Sequence, residues 1–105
     1  MDRVTSRGGV LIRLTEERWF HIVENHDDLA GHYDDVLETV ETPEVILRGD
    51  EGALVAAKRM ASRRHLAVVY KEVSADDGFI VTAYFTRRLA RRTIVWRRER
   101  QQPKQ

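Results

Sequence analysis

The stretch HLAVVYKEVSADDGFIVTAYFT, residues 65–86, decides the fold: two runs rich in Val, Ile, Tyr, Phe and Thr flank a short polar segment. Side chains of this kind favour a pleated, half-buried strand. Asp77-Gly78 between the runs reads as a hairpin signal, because a tight turn needs the positive φ that Asn, Asp and Gly adopt at low cost. With those two residues in the turn, Asp76 pairs with Phe79, Lys71 lies opposite Tyr84 and Val73 opposite Thr82. Period two then places Phe79, Val81, Ala83 and Phe85 on one face, against the helices, and Ile80, Thr82, Tyr84 and Thr86 on the other. A slip of one residue carries Lys71 to the opposite side.

Outward from this hairpin, EVILRG (44–49) and ALVAAKRM (53–60) read as two earlier β runs, with GDEG, ASRR and SADD as turns, so the second part of the chain is an antiparallel meander. Arg48-Gly49 is a strand end and Asp50 to Gly52 a turn, which makes the RGD at 48–50 a chance match to an integrin tripeptide. Upstream, GVLIRL (9–14) is a short β run, and Thr15 follows as a helix N-cap with Glu16 and Glu17 in the first turn. At about 100° per residue, Trp19, Ile22, Val23 and His26 share one stripe of that helix, whereas His21 points away with Arg18 and Asn25. YDDVLETV (33–40) reads as a second helix, ended by Thr42-Pro43. Thr93 to Trp96 reads as a last edge strand. The expected class is α+β, with two N-terminal helices packed on an antiparallel meander sheet of four or more strands.

A chain of 105 residues forms a single domain, with a core over about residues 9–97 and a basic tail at 98–105. Its 42% hydrophobic and 33% charged residues suit a soluble globular unit. No apolar run approaches the ~20 residues that cross a bilayer, and MDRVTSRGG lacks the apolar stretch of a secretion signal, so no membrane association is expected and the cytoplasm is the default compartment. There is no cysteine, which removes disulfides, thiolate metal sites and thiol nucleophiles. The net charge of +1 conceals a division: residues 1–55 carry 13 acidic and 5 basic side chains, or −8, and residues 56–105 carry 4 acidic and 13 basic, or +9. Either the two halves attract one another within the fold, or the second presents a basic surface to a phosphate-bearing partner.

Candidate chemistry gathers on the polar face of the hairpin. Lys71, Thr82, Tyr84 and Thr86 share it in the register above, and one of the adjacent Lys58 and Arg59 must face the same way. Thr and Tyr are also ordinary residues of a wetted antiparallel face. His26 sits towards the buried side of the first helix, near its C-terminus, and His21 on the polar side; each has a plain reading, as a packed helix-end residue and a solvated one. His32 and His65 read as loop or strand-start residues. The four histidines with Asp27, Asp28, Asp34 and Asp35 show no zinc-type spacing such as HExxH, so neither a metal nor a cofactor is expected. The arginines of 87–105, starting with Arg87 and Arg88, either contact a phosphate backbone or are solvated; 15 of the 18 basic residues are Arg, which forks onto phosphates.

The segments RWFHIVENH (18–26), VLETV (36–40), ILRG (46–49), VVYKE (68–72) and GFIVTAYFT (78–86), in this order and spacing, resemble the phage-associated ribonuclease-like domains of the superfamily that groups barnase, EndoU, colicin and RelE nucleases. The resemblance spans most of residues 10–97. It implies a metal-independent endoribonuclease fold of two helices followed by a four-stranded antiparallel sheet whose exposed face binds RNA. It also implies that His21 or His26, with Thr82 and Tyr84, holds the positions of reactive groups. Metal-free RNA cleavage removes a proton from the 2′-hydroxyl, protonates the leaving 5′-oxygen and stabilises charge on the phosphorane. One of His21 and His26 suits the proton transfers, Thr82 and Tyr84 suit orientation of the phosphate, and Lys71, Lys58 or Arg59, Thr86, Arg87 and Arg88 suit RNA binding. Two function classes follow. One is a small ribonuclease, a toxin or phage-derived effector held in check by an inhibitor or antitoxin protein. The other is a catalytically silent module that binds RNA or protein on the same face.

Overall fold

The computed structural model describes residues 1–99. Seven strands and two α-helices follow the order β1 (Asp2–Thr5), β2 (Leu11–Leu14), α1 (Glu16–Asn25), α2 (Tyr33–Glu41), β3 (Val45–Arg48), β4 (Leu54–Ala61), β5 (Arg64–Glu72), β6 (Gly78–Thr86) and β7 (Ile94–Arg97), with a 3₁₀ turn at Asp27–Leu29. The class is α+β, but the architecture departs from two helices on a meander. One seven-stranded sheet runs β1-β2-β6-β5-β4-β3-β7, and the helices enter after its first hairpin. β3, β4, β5 and β6 form the expected antiparallel meander. β2 joins it in parallel beside β6, which makes the sheet mixed.

β1 is a strand the sequence reading passed over. It pairs antiparallel with β2 from Asp2↔Leu14 to Thr5↔Leu11. Gly9 turns the chain between them at φ 82°, a conformation that costs most residues but not glycine. Serine closes the same turn: Ser6 Oγ accepts from the Val10 N–H at 3.2 Å and donates to Glu72 Oε2 at 2.5 Å, docking the hairpin on the end of β5. Arg7 in this turn lies 4.4 Å from the ring centroid of Trp96 on β7, although β1 and β7 are opposite ends of the strand order. The sheet therefore curls. Helix α2 lies in the curl, packed against β1, β4 and β5.

The hairpin of residues 65–86 closes differently from the expected way. Asp77-Gly78 is not a tight turn; residues 73–77 form the loop, with the Val73 and Ser74 N–H groups donating to the Asp77 carbonyl at 2.9 and 3.0 Å. Gly78 is the first residue of β6, and a Cβ there would collide with the Lys71 carbonyl and the Ile12 side chain. Its role is close approach rather than positive φ. The tight turn is at Ser62-Arg63, where Arg63 takes φ 59°. Lys71 consequently pairs with Phe79, and Tyr84 pairs with Ala67.

A register shift between Val69 and Tyr70 leaves Val81 as the extra residue of β6. Beyond such a bulge the alternation inverts, so Ile80 joins Ala83 and Phe85 on the helix side, contrary to the strict alternation expected. That side holds the main core, in which Ile12, Leu14, Leu29, Val36, Val40, Leu66, Val68 and Tyr70 are fully buried. The other face carries a smaller cluster of Val45, Leu47, Val55, Ala57 and Ala67, with Val69, Tyr84 and Leu89 against it.

The helices form as their sequence periodicity predicts. The Thr15 Oγ1 caps α1 by accepting from the Arg18 N–H at 3.1 Å, and Ile22 is its buried residue. In α2, the buried Thr39 hydroxyl donates to the Asp35 carbonyl at 2.7 Å. Tyr33 at the start of α2 donates to Asp2 Oδ2 at 2.6 Å, and burial together with that carboxylate pushes its phenol up to about 12.

Two outcomes are expected. Leu66→Ala, at a fully buried site, costs about 2–5 kcal/mol in denaturant unfolding. Tyr70→Phe is neutral or stabilising, because the Tyr70 hydroxyl is buried with no hydrogen-bond partner among the described residues. The Asp77 carboxylate, held below the usual carboxylate range by hydrogen bonds from Arg13 at 2.9 and 3.1 Å, gives a third. A depressed carboxylate adds stability above the unfolded value of about 3.9 and loses it as pH falls through the folded value. Thermal unfolding of Asp77→Asn is therefore less acid-dependent below about pH 4 than that of the parent chain.

Candidate functional site

Period two and the observed registers place one row of side chains across the face opposite α2. Arg97 (β7), Val45 (β3), Ala57 (β4), Ala67 (β5) and Tyr84 (β6) are successive cross-strand partners. Arg59, His65 and Thr86 form the next row on the same face. Thr82, paired with Val69, belongs here too. Of the two neighbours Lys58 and Arg59, the structure selects Arg59. Lys58 faces the helices and donates to Glu38 Oε1 at 3.1 Å and to Thr42 Oγ1 at 3.4 Å.

This face is not open throughout. After β6 the chain crosses beneath β5, β4 and β3 to reach β7, and Leu89 of the crossover packs on the small apolar cluster. The Thr86 hydroxyl starts the crossover: it donates to the Arg88 carbonyl at 2.8 Å and accepts from the Arg88 N–H at 3.3 Å. Its far end is fixed by a forked contact of Arg92 with Asp50 at 2.8 and 3.3 Å, which holds the Asp50 carboxyl below its ordinary range. Arg87 and Arg88 are exposed on this strap.

Beside Leu89 an open cleft of about 1400 Å³ is lined by Ala57, Arg59, His65, Arg97, Arg98 and Glu44 among others. Glu44 is engaged there, its Oε1 accepting from the Arg59 N–H at 2.6 Å. His65 Nδ1 is buried with no hydrogen-bond partner among the described residues. A second recess of about 890 Å³, on the other side of Leu89, is lined by Leu47, Arg48 and residues 89–94. Three or more His, Asp or Glu side chains do not converge as a metal-holding group among the described residues.

The histidines separate as the helical stripe predicts. His21 is exposed on α1, and His26 caps its C-terminus, half-buried. β2 pairs with β6 only at Gly78 and Phe79, so the rest of that β6 edge has no strand beside it among the described residues, and α1 packs against β6. His26 is thereby delivered to 6.1 Å from Tyr84, ring centroid to ring centroid, with planes inclined by 39°. Lys71 is not brought to this place. It sits four residues along β5 from the partner of Tyr84, a distance of about 13 Å.

Three functional candidates were missed by sequence reading. Arg64 stacks 3.7 Å over the Phe85 ring, which also meets the edge of His32 at 5.0 Å, and His32 Nδ1 lies 2.9 Å from Asp35 Oδ2. His65 and Arg97 line the cleft. Cross-strand neighbours in distant sequence supply these contacts, so no local motif announces them; the position of His65 beside the Ser62-Arg63 turn is the one available signal.

Ring-current shifts test the arrangement at the β6 edge: Tyr84→Leu moves the NMR resonances of the His26 ring and leaves those of His21 in place. No helix of the described residues is long and apolar enough to cross a membrane. No protein-family model, curated protein or solved structure matches the chain.

Proposed function

We propose that this domain is a metal-independent endoribonuclease-like domain that binds RNA on the face opposite α2 and cleaves it at the β6 edge. The observation that carries the reading is the approach of His26 to Tyr84 at 6.1 Å, on a face whose next row is Arg59, His65 and Thr86. In this reading the His26 imidazole takes the proton of a 2′-hydroxyl, the O2′–P bond forms as the P–O5′ bond breaks, and the leaving oxygen takes a proton from water. The Tyr84 phenol donates to a phosphoryl oxygen, and Thr82, two residues along the same face, orients the sugar-phosphate. Arg59 lies about 12 Å from Tyr84 by strand spacing and rise, so it holds a neighbouring phosphate rather than the reacting one. Lys58 and Lys71 take no part, because one is spent on Glu38 and the other lies at the far end of β5. A protein inhibitor of such an enzyme would cover this same face.

A catalytically silent RNA-binding module is the second reading, favoured by the packing of Tyr84 in the small apolar cluster with Leu89. Incubation of generic single-stranded RNA with the chain separates the two. The enzyme reading expects cleavage that survives excess chelator, falls about 10²–10⁴-fold in His26→Ala, falls in Tyr84→Phe and is unchanged in His21→Ala. RNA binding without cleavage would establish the silent module instead.

A further inference from the structure

The cleft on the β7 side of the face has a composition of its own. Its floor is Val45 and Ala57; Arg59, Arg97 and Arg98 line it together with Glu44 and Glu99, and His65 stands between. The Glu44 carboxylate is taken up by the Arg59 backbone N–H. The buried Nδ1 of His65 meets neither a donor nor an acceptor among the described residues. A proton there would be an unsatisfied buried donor, which favours the neutral tautomer with its proton on Nε2. The edge of the ring that lines the cleft is then a donor. Arginine side chains from two strands and one imidazole line a space with no Phe, Tyr or Trp among its described residues. Donors without a stacking platform suit the phosphodiester backbone and not the bases.

We propose that Arg59, His65 and Arg97 form a second phosphate subsite, which grips the backbone of single-stranded RNA beyond the cleavage point and does so without regard to base identity. The subsite rests on the RNA-binding reading above and extends it: Arg97 and Tyr84 end the same cross-strand row, so the strand of RNA runs across β6, β5, β4 and β3 rather than along them. The crossover at Leu89 stands between Tyr84 and this cleft, so an RNA strand that reaches both passes over the strap.

The test measures binding of a short 2′-O-methyl oligouridylate, which cannot be cleaved, and of the matching oligoadenylate, by fluorescence anisotropy over a range of salt. Arg59→Gln, His65→Ala and Arg97→Gln are each expected to weaken both oligonucleotides by about tenfold, and each arginine change to reduce the salt slope by about 0.7 per lost phosphate contact. His21→Ala, on the exposed side of α1, should bind as the parent chain does. In the unaltered protein, 15N NMR should find His65 with its proton on Nε2 and shifted by oligouridylate, a readout that does not depend on a variant folding. The subsite is overturned, with the cleavage reading intact, if the parent chain binds RNA while all three variants match it, if His65 carries its proton on Nδ1, or if one base is strongly preferred. Absence of any RNA binding overturns both.

Discussion

Everything at the β6 edge depends on how β2 meets β6. The two strands run parallel and share only the pairs Ile12↔Gly78 and Arg13↔Phe79. That short ladder is permitted by the missing side chain of Gly78, because Ile12 and the Lys71 carbonyl occupy the volume a Cβ would take. Arg13 clamps the joint by reaching Asp77 in the preceding loop. Because the ladder stops after two pairs, the remainder of β6 lacks a strand neighbour on that side among the described residues, and α1, which leaves β2 at Thr15, packs against it. His26 comes to rest beside Tyr84 as the end of that path. A longer ladder would have put a strand where the helix now is.

The face opposite α2 is shaped by a second long connection. A β6 followed directly by its neighbour in the sheet would have left the polar row open to solvent from end to end. Instead the chain crosses under three strands to add β7 at the other edge of the meander, and Leu89 seals the middle of the small apolar cluster on the way. The polar face is thereby divided into an edge region around Tyr84 and a cleft around His65 and Arg97. Arginines of the basic half line that cleft together with Glu44 and Glu99. Some of the charge division is spent within the fold, in Lys58 with Glu38 and Arg92 with Asp50, and these exposed or half-exposed pairs contribute little stability while they set where segments dock.

Much of the architecture was legible along the chain. Helix α1 announced itself through Thr15, its acidic first turn and the stripe of Trp19, Ile22, Val23 and His26; α2 through Val36, Leu37 and Val40; and β3 to β6 through apolar runs between turn signals. Those signals are local, since caps, periodicity and turn residues act within a few positions of one another. The Asp77-Gly78 pair was misleading for a physical reason. Glycine serves positive φ and close packing alike, and only the neighbour it must admit, here Ile12 from another strand, tells the two apart. The bulge at Val81 likewise arises from pairing between strands, and it moved Ile80 to the helix side without any mark in the β6 sequence.

The sequence alone settled the α+β class, the position of most elements and the division of His21 from His26 around one helix, because each follows from backbone preference and side-chain spacing within a single segment. It settled the absence of cysteine chemistry as well. The tertiary structure alone decided the partners: β1 and β7 as the sheet's two ends, Arg59 rather than Lys58 on the polar face, Lys71 away from Tyr84, and His65 with Arg97 in one cleft. These depend on register and on the route of the connections, quantities set by which distant surfaces bury one another and so invisible to any window that slides along the chain.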